Sequence, residues 1–104
     1  MAHKTYKHEF SPLAERDLNE TFDYITLELS SSQAAVQLID SIQTAVENIC
    51  VFPYSRPLLK DKILRGKGYR LLIVRNFNIF YIVERQTVII RRVLHGSRNY
   101  ELLL

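Results

Sequence analysis

The residues with the greatest chemical capacity cluster near the end of the chain. His95, Arg98 and Tyr100 bring an imidazole, a guanidinium and a phenol to one strand end. His95 is the one side chain of the C-terminal half that titrates near neutral pH, so it is the candidate general acid or base there. Arg98 could hold an anion beside it. The same histidine also fits a plainer role, as a partly buried, hydrogen-bonded side chain closing a strand. His3 and His8 lie far away in sequence, and no partner at metal-ligand spacing accompanies them. No metal and no cofactor are expected.

A second group of chemical interest is a run of cations, Arg56, Lys60, Lys62, Arg65 and Lys67, in the stretch from Pro53 to Gly68. It belongs to a wider asymmetry. Met1 to Ser55 carries three Lys/Arg against eight Asp/Glu, and Arg56 to Leu104 carries eleven against three. The formal net charge of +3 therefore conceals an acidic half and a strongly basic one. A concentrated positive field attracts polyanions or an acidic protein partner. Attraction between the two halves of the molecule is the plainer explanation of the same pattern.

Composition narrows the class. A chain of 104 residues, 47% of them hydrophobic, is read as one domain spanning 1–104 with a modest core. Its lone cysteine, Cys50, excludes an internal disulfide and suits a reducing compartment. Set among Val46, Ile49 and Val51, it reads as a buried thiol rather than a nucleophile. The opening MAHKTYKHEF has no signal-peptide apolar run, and no stretch approaches the roughly 18 residues of a membrane span. A cytoplasmic protein without membrane contact is expected.

These groups must be positioned by a small set of elements. His3 to Phe10 alternates as a short strand. Ser11-Pro12 reads as an N-cap followed by proline at the first helical position, and Ala14, Leu18, Phe22, Ile25 and Leu29 form one apolar stripe. Ser30-Ser31-Ser32 breaks that helix and caps a second one, whose stripe is Ala35, Leu38, Ile42, Ala45, Val46 and Ile49. The short link makes the pair an antiparallel hairpin, which stops before Pro53. Pro53 to Gly68 reads as one long irregular stretch. Tyr69 to Val74, Phe77 to Val83 and Thr87 to Leu94 then read as strands of an antiparallel meander. Arg91 and Arg92 are adjacent on the last of these, so they should point to opposite faces, one toward the acidic helices. Tyr69 and Tyr81 read as core aromatics. The tail from Gly96 ends in Leu102, Leu103 and Leu104, which should dock on the body or on a partner. The expected fold is α+β, β-α-α-β-β-β, with a two-helix hairpin on one face of a small antiparallel sheet. The other face should stay open and carry any site.

Several segments of the chain resemble the RelE/ParE superfamily of toxins. Ala14-Glu15-Arg16-Asp17-Leu18 followed by Asp23-Tyr24-Ile25 is similar to the family's first helix, and Pro53-Tyr54-Ser55-Arg56-Pro57 to its proline-centred turn. Gly68-Tyr69-Arg70-Leu71-Leu72, Asn76 to Tyr81, and Arg92-Val93-Leu94-His95-Gly96-Ser97-Arg98 resemble its strand pattern in order and spacing. The likeness runs from about Phe10 to Tyr100.

The resemblance implies the toxin of a type II toxin–antitoxin, plasmid-stabilisation-like pair, neutralised by a cognate antitoxin. It implies two activities for such a toxin. ParE-like members act on DNA gyrase, and RelE-like members cleave messenger RNA on the ribosome without a metal. The RelE-like set would match Arg70, His95, Arg98 and Tyr100 here. Two positions depart from it: Leu72 stands where a second basic residue belongs, and Asn78 where the next strand would carry an arginine. Both departures favour gyrase inhibition, with ribosome-dependent endoribonuclease activity as the alternative and a non-toxic interaction module of the same fold as a further one. The antitoxin is expected to cover Leu102, Leu103 and Leu104 and to neutralise part of the basic run.

Overall fold

The computed structural model describes residues 5–104, so His3, the predicted start of the first strand, lies outside the described residues. The element order is β1 (Lys7–Phe10), α1 (Pro12–Glu28), α2 (Ser32–Ile49), α3 (Lys62–Gly66), β2 (Arg70–Val74), β3 (Phe77–Glu84) and β4 (Thr87–His95), with a 3-10 turn at Tyr100–Leu102. Ser11 caps α1 as its sequence suggests, its hydroxyl oxygen accepting the Ala14 N–H at 3.1 Å with Pro12 in the first turn. Ser31 caps α2 in the same way, and Ser30, at a φ of 52°, makes the sharp break between the helices. The stretch after Pro53 is less irregular than its composition suggests. Asp61 accepts the Leu64 N–H at 3.0 Å and starts the short helix α3, which buries Leu64.

The four strands lie in the order β1-β4-β3-β2. The last three form the expected antiparallel meander, turning at Arg75-Asn76 and Arg85-Gln86. The sheet as a whole is mixed, because β1 pairs in parallel with β4. The helical hairpin carries the chain across the sheet, so β2 forms at the far edge and the meander returns to place β4 beside β1. Ala14, Leu38, Ile42 and Val46 from the hairpin meet Ile79, Tyr81, Val88, Ile90 and Val93 from the sheet in one buried cluster.

The opposite sheet face departs from expectation. It is covered rather than open. Leu59, Leu64 and Tyr69 fold over Phe80 and Leu94, and Leu71, Ile82, Tyr100, Leu103 and Leu104 complete a second apolar cluster. The cause is in the strands themselves: Leu71, Phe80, Ile82 and Leu94 point away from the helices and must find cover. The α3 segment and the tail supply it. Leu103 and Leu104 therefore dock on the body, whereas Leu102 is 83% exposed.

β1 is shorter than β4, and this mismatch shapes the molecule. It pairs with Thr87 to Ile90 only. Beyond Ile90 the β4 edge is met by side chains of the α1 region. The Ser11 hydroxyl donates to the Arg91 carbonyl at 2.8 Å, and an Asp17 carboxylate oxygen accepts the Val93 N–H at 2.9 Å. A bulge in β4 sets Phe80 opposite Arg92 and Tyr81 opposite Ile90, leaving Arg91 unpaired and exposed. Arg92 reaches Asp17 through Nε at 2.8 Å and Nη2 at 2.9 Å, and its Nη1 donates to the Leu103 carbonyl at 3.1 Å. The expected division of the two arginines, one to the helices and one to solvent, is thus realised. Hydrogen bonding to Asp17 raises the Arg92 pKa further, so the guanidinium stays charged.

Among the described residues no helix is long and apolar enough to cross a membrane. Cys50 is buried, with Sγ 3.9 Å from the Lys7 carbonyl, and burial followed by the nearby Glu47 charge raises its pKa. Both push away from the reactive thiolate.

Two measurements check this packing. Asp17→Ala strands both the Arg92 charge and the Val93 N–H, and is expected to cost about 3 kcal/mol in urea unfolding; a loss below about 1 kcal/mol would show that water replaces the carboxylate. Tyr81, fully buried, donates to the Pro53 carbonyl at 2.8 Å, and burial pushes its pKa from 10.0 up to about 12. Between those values the unfolded state has lost a proton that the native state keeps, so stability should fall as pH rises from about 10 to about 12. Tyr81→Phe should flatten that alkaline limb while costing about 1 kcal/mol at neutral pH. Unfolding curves with parallel pH dependence in both proteins would contradict this.

Candidate functional site

A concavity of about 510 Å³ forms a groove between α1 and the far ends of β3 and β4. Tyr24, Ile25 and Leu29 form the helical wall, Phe77 and Val93 belong to the sheet, and Glu20, His95 and Arg98 add polar groups. The Asp17–Arg92 bridge sets the spacing of its walls, since Asp17 lines the groove while gripping the β4 backbone at Val93. Tyr24 and Leu29 are 59% and 60% exposed, although Leu29 continues the α1 apolar stripe. The helix ends there, with Leu29 as its C-cap, and leaves these side chains over the groove instead of on the core.

His95 closes β4 and stands edge-on to Phe77, with ring centres 5.4 Å apart. Its Nδ1 accepts the Ser97 N–H at 3.2 Å and lies 2.7 Å from the Ser97 hydroxyl oxygen. A backbone donor at Nδ1 requires an acceptor there, so the neutral ring carries its proton on Nε2. Arg98 follows through a turn in which its N–H donates to the His95 carbonyl at 2.9 Å. That turn packs closely on the β2–β3 turn. The Gly96 N–H donates to the Asn76 carbonyl at 2.7 Å, and a Cβ at position 96 would lie only 3.2 Å from that oxygen.

Of the four candidates for acid–base chemistry, His95 and Arg98 share this groove. The other two are held elsewhere. Arg70 points to the loop after α2, where its Nη1 donates to the Arg56 carbonyl at 2.6 Å and its guanidinium lies 5.0 Å from the Tyr54 ring centre. Arg70 pairs with Tyr81, whereas His95 pairs with Phe77, four residues along β3. That offset alone is roughly 13 Å along the strand. Tyr100 stacks on Phe80, with ring centres 4.8 Å apart, inside the cluster on the opposite sheet face. Leu72 packs into the helix-side core, and Asn78 is partly buried on β3.

The basic run is displayed on the segment that covers that opposite face. Lys60, Lys62, Arg65 and Lys67 are exposed, and Arg56 donates weakly to the Leu71 carbonyl at 3.4 Å. None of the five forms an ion pair among the described residues. No group of three or more His, Cys, Asp or Glu that could hold a metal ion occurs among the described residues.

Sequence reasoning missed the organising role of Asp17. A signal for it exists: Asp17 sits three residues after Ala14, next to Leu18, on the face of α1 that turns inward. A carboxylate in an apolar stripe needs a buried donor, and the paired Arg91-Arg92 offered one. The groove itself could not be found that way, because it depends on where α1 ends relative to β4.

Arg70 makes a stability role testable. Arg70→Gln should release the Tyr54–Arg56 turn at a cost of about 1 kcal/mol in thermal or urea unfolding, with faster proteolysis in that turn. Unchanged stability and unchanged cleavage would leave Arg70 free for a role in chemistry.

A family model described as the ParE toxin of the type II toxin–antitoxin system parDE matches residues 8–100. A search of curated proteins by sequence returns no significant match. Among solved structures, the chain is similar to one from the chromosomal ParDE toxin–antitoxin system of P. aeruginosa. The TM-score is 0.74 at 16% identity, covering 92% of this chain and all of that one. It is also similar to a chain of the RelBE2 toxin–antitoxin complex from Mycobacterium tuberculosis, with a TM-score of 0.62 at 18% identity, covering 88% and 99% of the two chains.

Proposed function

The chain belongs to the ParE toxin family and is the toxin of a type II toxin–antitoxin system, and we propose that it arrests growth by inhibiting DNA gyrase through protein–protein contact. The observation that carries this reading is the dispersal of the groups that metal-free RNA cleavage would need. Such cleavage requires a base, an acid and cations around one phosphate, all within hydrogen-bond reach of the reacting atoms. Here Arg70 is engaged with the Tyr54–Arg56 turn and Tyr100 with Phe80, on opposite faces of the sheet. Leu72 and Asn78 add no charge to replace them. A binding toxin needs no such convergence, only a rigid surface with exposed anchors. Ribosome-dependent cleavage is the second reading, and the shared groove position of His95 and Arg98 is what favours it.

Its partner in neutralisation is a cognate antitoxin. We place the antitoxin's apolar segment in the groove beside Phe77, where the exposed side chains of Tyr24 and Leu29 await cover. Leu102 offers a further apolar contact, and acidic antitoxin residues would face the cations from Arg56 to Lys67. Leu103 and Leu104 contribute indirectly, by holding the tail against Phe80 and Leu94.

Purified toxin added to a gyrase supercoiling reaction should block supercoiling, and Tyr100→Phe and His95→Ala should inhibit within about twofold of the parent, since neither removes a surface anchor. Full supercoiling at every toxin concentration, from protein that arrests growth when expressed, would sink the gyrase reading.

A further inference from the structure

The five cations from Arg56 to Lys67 are all exposed, and the segment that carries them is anchored. Leu59 and Leu64, each 5% exposed, hold it on the second cluster. The Leu59 N–H also donates to the Tyr69 carbonyl at 2.9 Å, just before β2. Attraction between the acidic and basic halves of the chain does not account for these charges. The exposed carboxylates Asp23, Glu28, Asp40 and Glu47 lie on the helical hairpin, which packs on the other face of the sheet. Of the two ion pairs among the described residues, Arg16–Glu20 lies within α1 and Asp17–Arg92 uses no member of the run. The one carboxylate inside the run, Asp61, is spent as the cap of α3.

Like charges gathered on one face repel each other, and no ion pair among the described residues offsets that cost. We propose that this face binds duplex DNA through its phosphate backbone, without reading base sequence. Duplex DNA carries one negative charge per roughly 1.7 Å of its axis, so a cluster of Lys and Arg gains affinity by releasing the counterions of that backbone. Protein interfaces place aromatic anchors at their core and are depleted in lysine, whereas three of these five cations are lysines. A single strand would call for open rings on which its bases stack. The rings on this side of the sheet are closed: Phe80 is fully buried, Tyr69 is 7% exposed, and Tyr100 stacks on Phe80. Tyr54, exposed two residues before Arg56, already carries the Arg70 guanidinium 5.0 Å from its ring centre. The choice of DNA over double-stranded RNA rests on the gyrase reading, since affinity for the duplex would hold the toxin on that enzyme's own substrate. Acidic antitoxin residues set against the same cations would then exclude the duplex.

The test is a fluorescence-anisotropy titration of the full chain against a labelled DNA duplex of about 20 base pairs, in potassium chloride from about 50 to 300 mM. Binding should be saturable and indifferent to sequence, and should weaken with salt at a log–log slope of about −3 to −4, as for roughly four neutralised phosphates. The triple variant Lys60→Gln/Lys62→Gln/Lys67→Gln should bind at least about tenfold more weakly at the lowest salt, with the slope reduced to about −1. Lys7→Gln/Arg75→Gln/Arg85→Gln removes the same charge from exposed positions on β1 and the two strand turns. It should stay within about threefold of the parent. Both variants should keep the parent's circular dichroism. Four results would overturn the proposal: no binding at the lowest salt; equal losses in the two triple variants, which would reduce the effect to net charge; an RNA duplex or a single DNA strand binding more tightly; or polyglutamate competing as well as unlabelled duplex at equal charge, which would assign the face to an acidic protein. The titration contains no gyrase, so its failure leaves the gyrase reading standing, and a failed supercoiling assay leaves the duplex binding standing.

Discussion

The carboxylate of Asp17 ties α1 to β4 and, through Arg92, to the tail. It takes two guanidinium donors from Arg92 and the backbone N–H of Val93, and the same arginine reaches on to the Leu103 carbonyl. Two charges held at 9% and 14% side-chain exposure lose most of their hydration. Such a pair is tolerated only where the geometry is bidentate and the remaining lone pairs are used, and here they are. The bridge performs a task that apolar packing could not. β1 ends too early to pair the whole of β4, and Asp17 supplies a backbone partner beyond its end. α1 is thereby fixed across the sheet edge, the groove beside Tyr24 acquires a defined width, and the tail is drawn over the second cluster.

A good part of this architecture is legible from residue order. Ser11-Pro12 and Ser31 mark the helix starts, and the stripe from Ala35 to Ile49 is the buried face of α2. Strand limits follow the apolar runs, with the turns at Arg75-Asn76 and Arg85-Gln86. What escapes is non-local. Near-continuous apolar strands are compatible with burial on both faces, but nothing local says what would cover the second one, which is why the order of elements predicts an open face there. The cover comes from a stretch whose five cations make it read as a loop, although Leu59 and Leu64 point inward. The parallel pairing of β1 with β4 likewise depends on the path of the hairpin, and the bulge at Arg91 on a register that no local pattern records.

The candidate chemistry shows the same limit. Arg70, His95, Arg98 and Tyr100 are close enough in type and order to suggest one constellation. Strand pairing separates them. Arg70 serves the turn after α2, Tyr100 serves the second cluster, and His95 with Arg98 borders an apolar groove. Each of the first two spends its polar or aromatic surface on structure. The remaining surface is a rigid scaffold with exposed anchors at the hairpin tip and a basic cover on the opposite side. That combination suits recognition of a large partner such as an antitoxin, which requires no catalytic group.

A map of messenger RNA 5′ ends, taken minutes after inducing the chain in a bacterium lacking its antitoxin, separates contact inhibition from RNA cleavage most directly. Growth arrest with no new translation-dependent ends is the result expected of a toxin that acts on gyrase. New ends at a fixed position within codons, appearing only on translated messages, would mean that the dispersed residues converge on the ribosome, and would contradict the reading of this protein as a binding toxin.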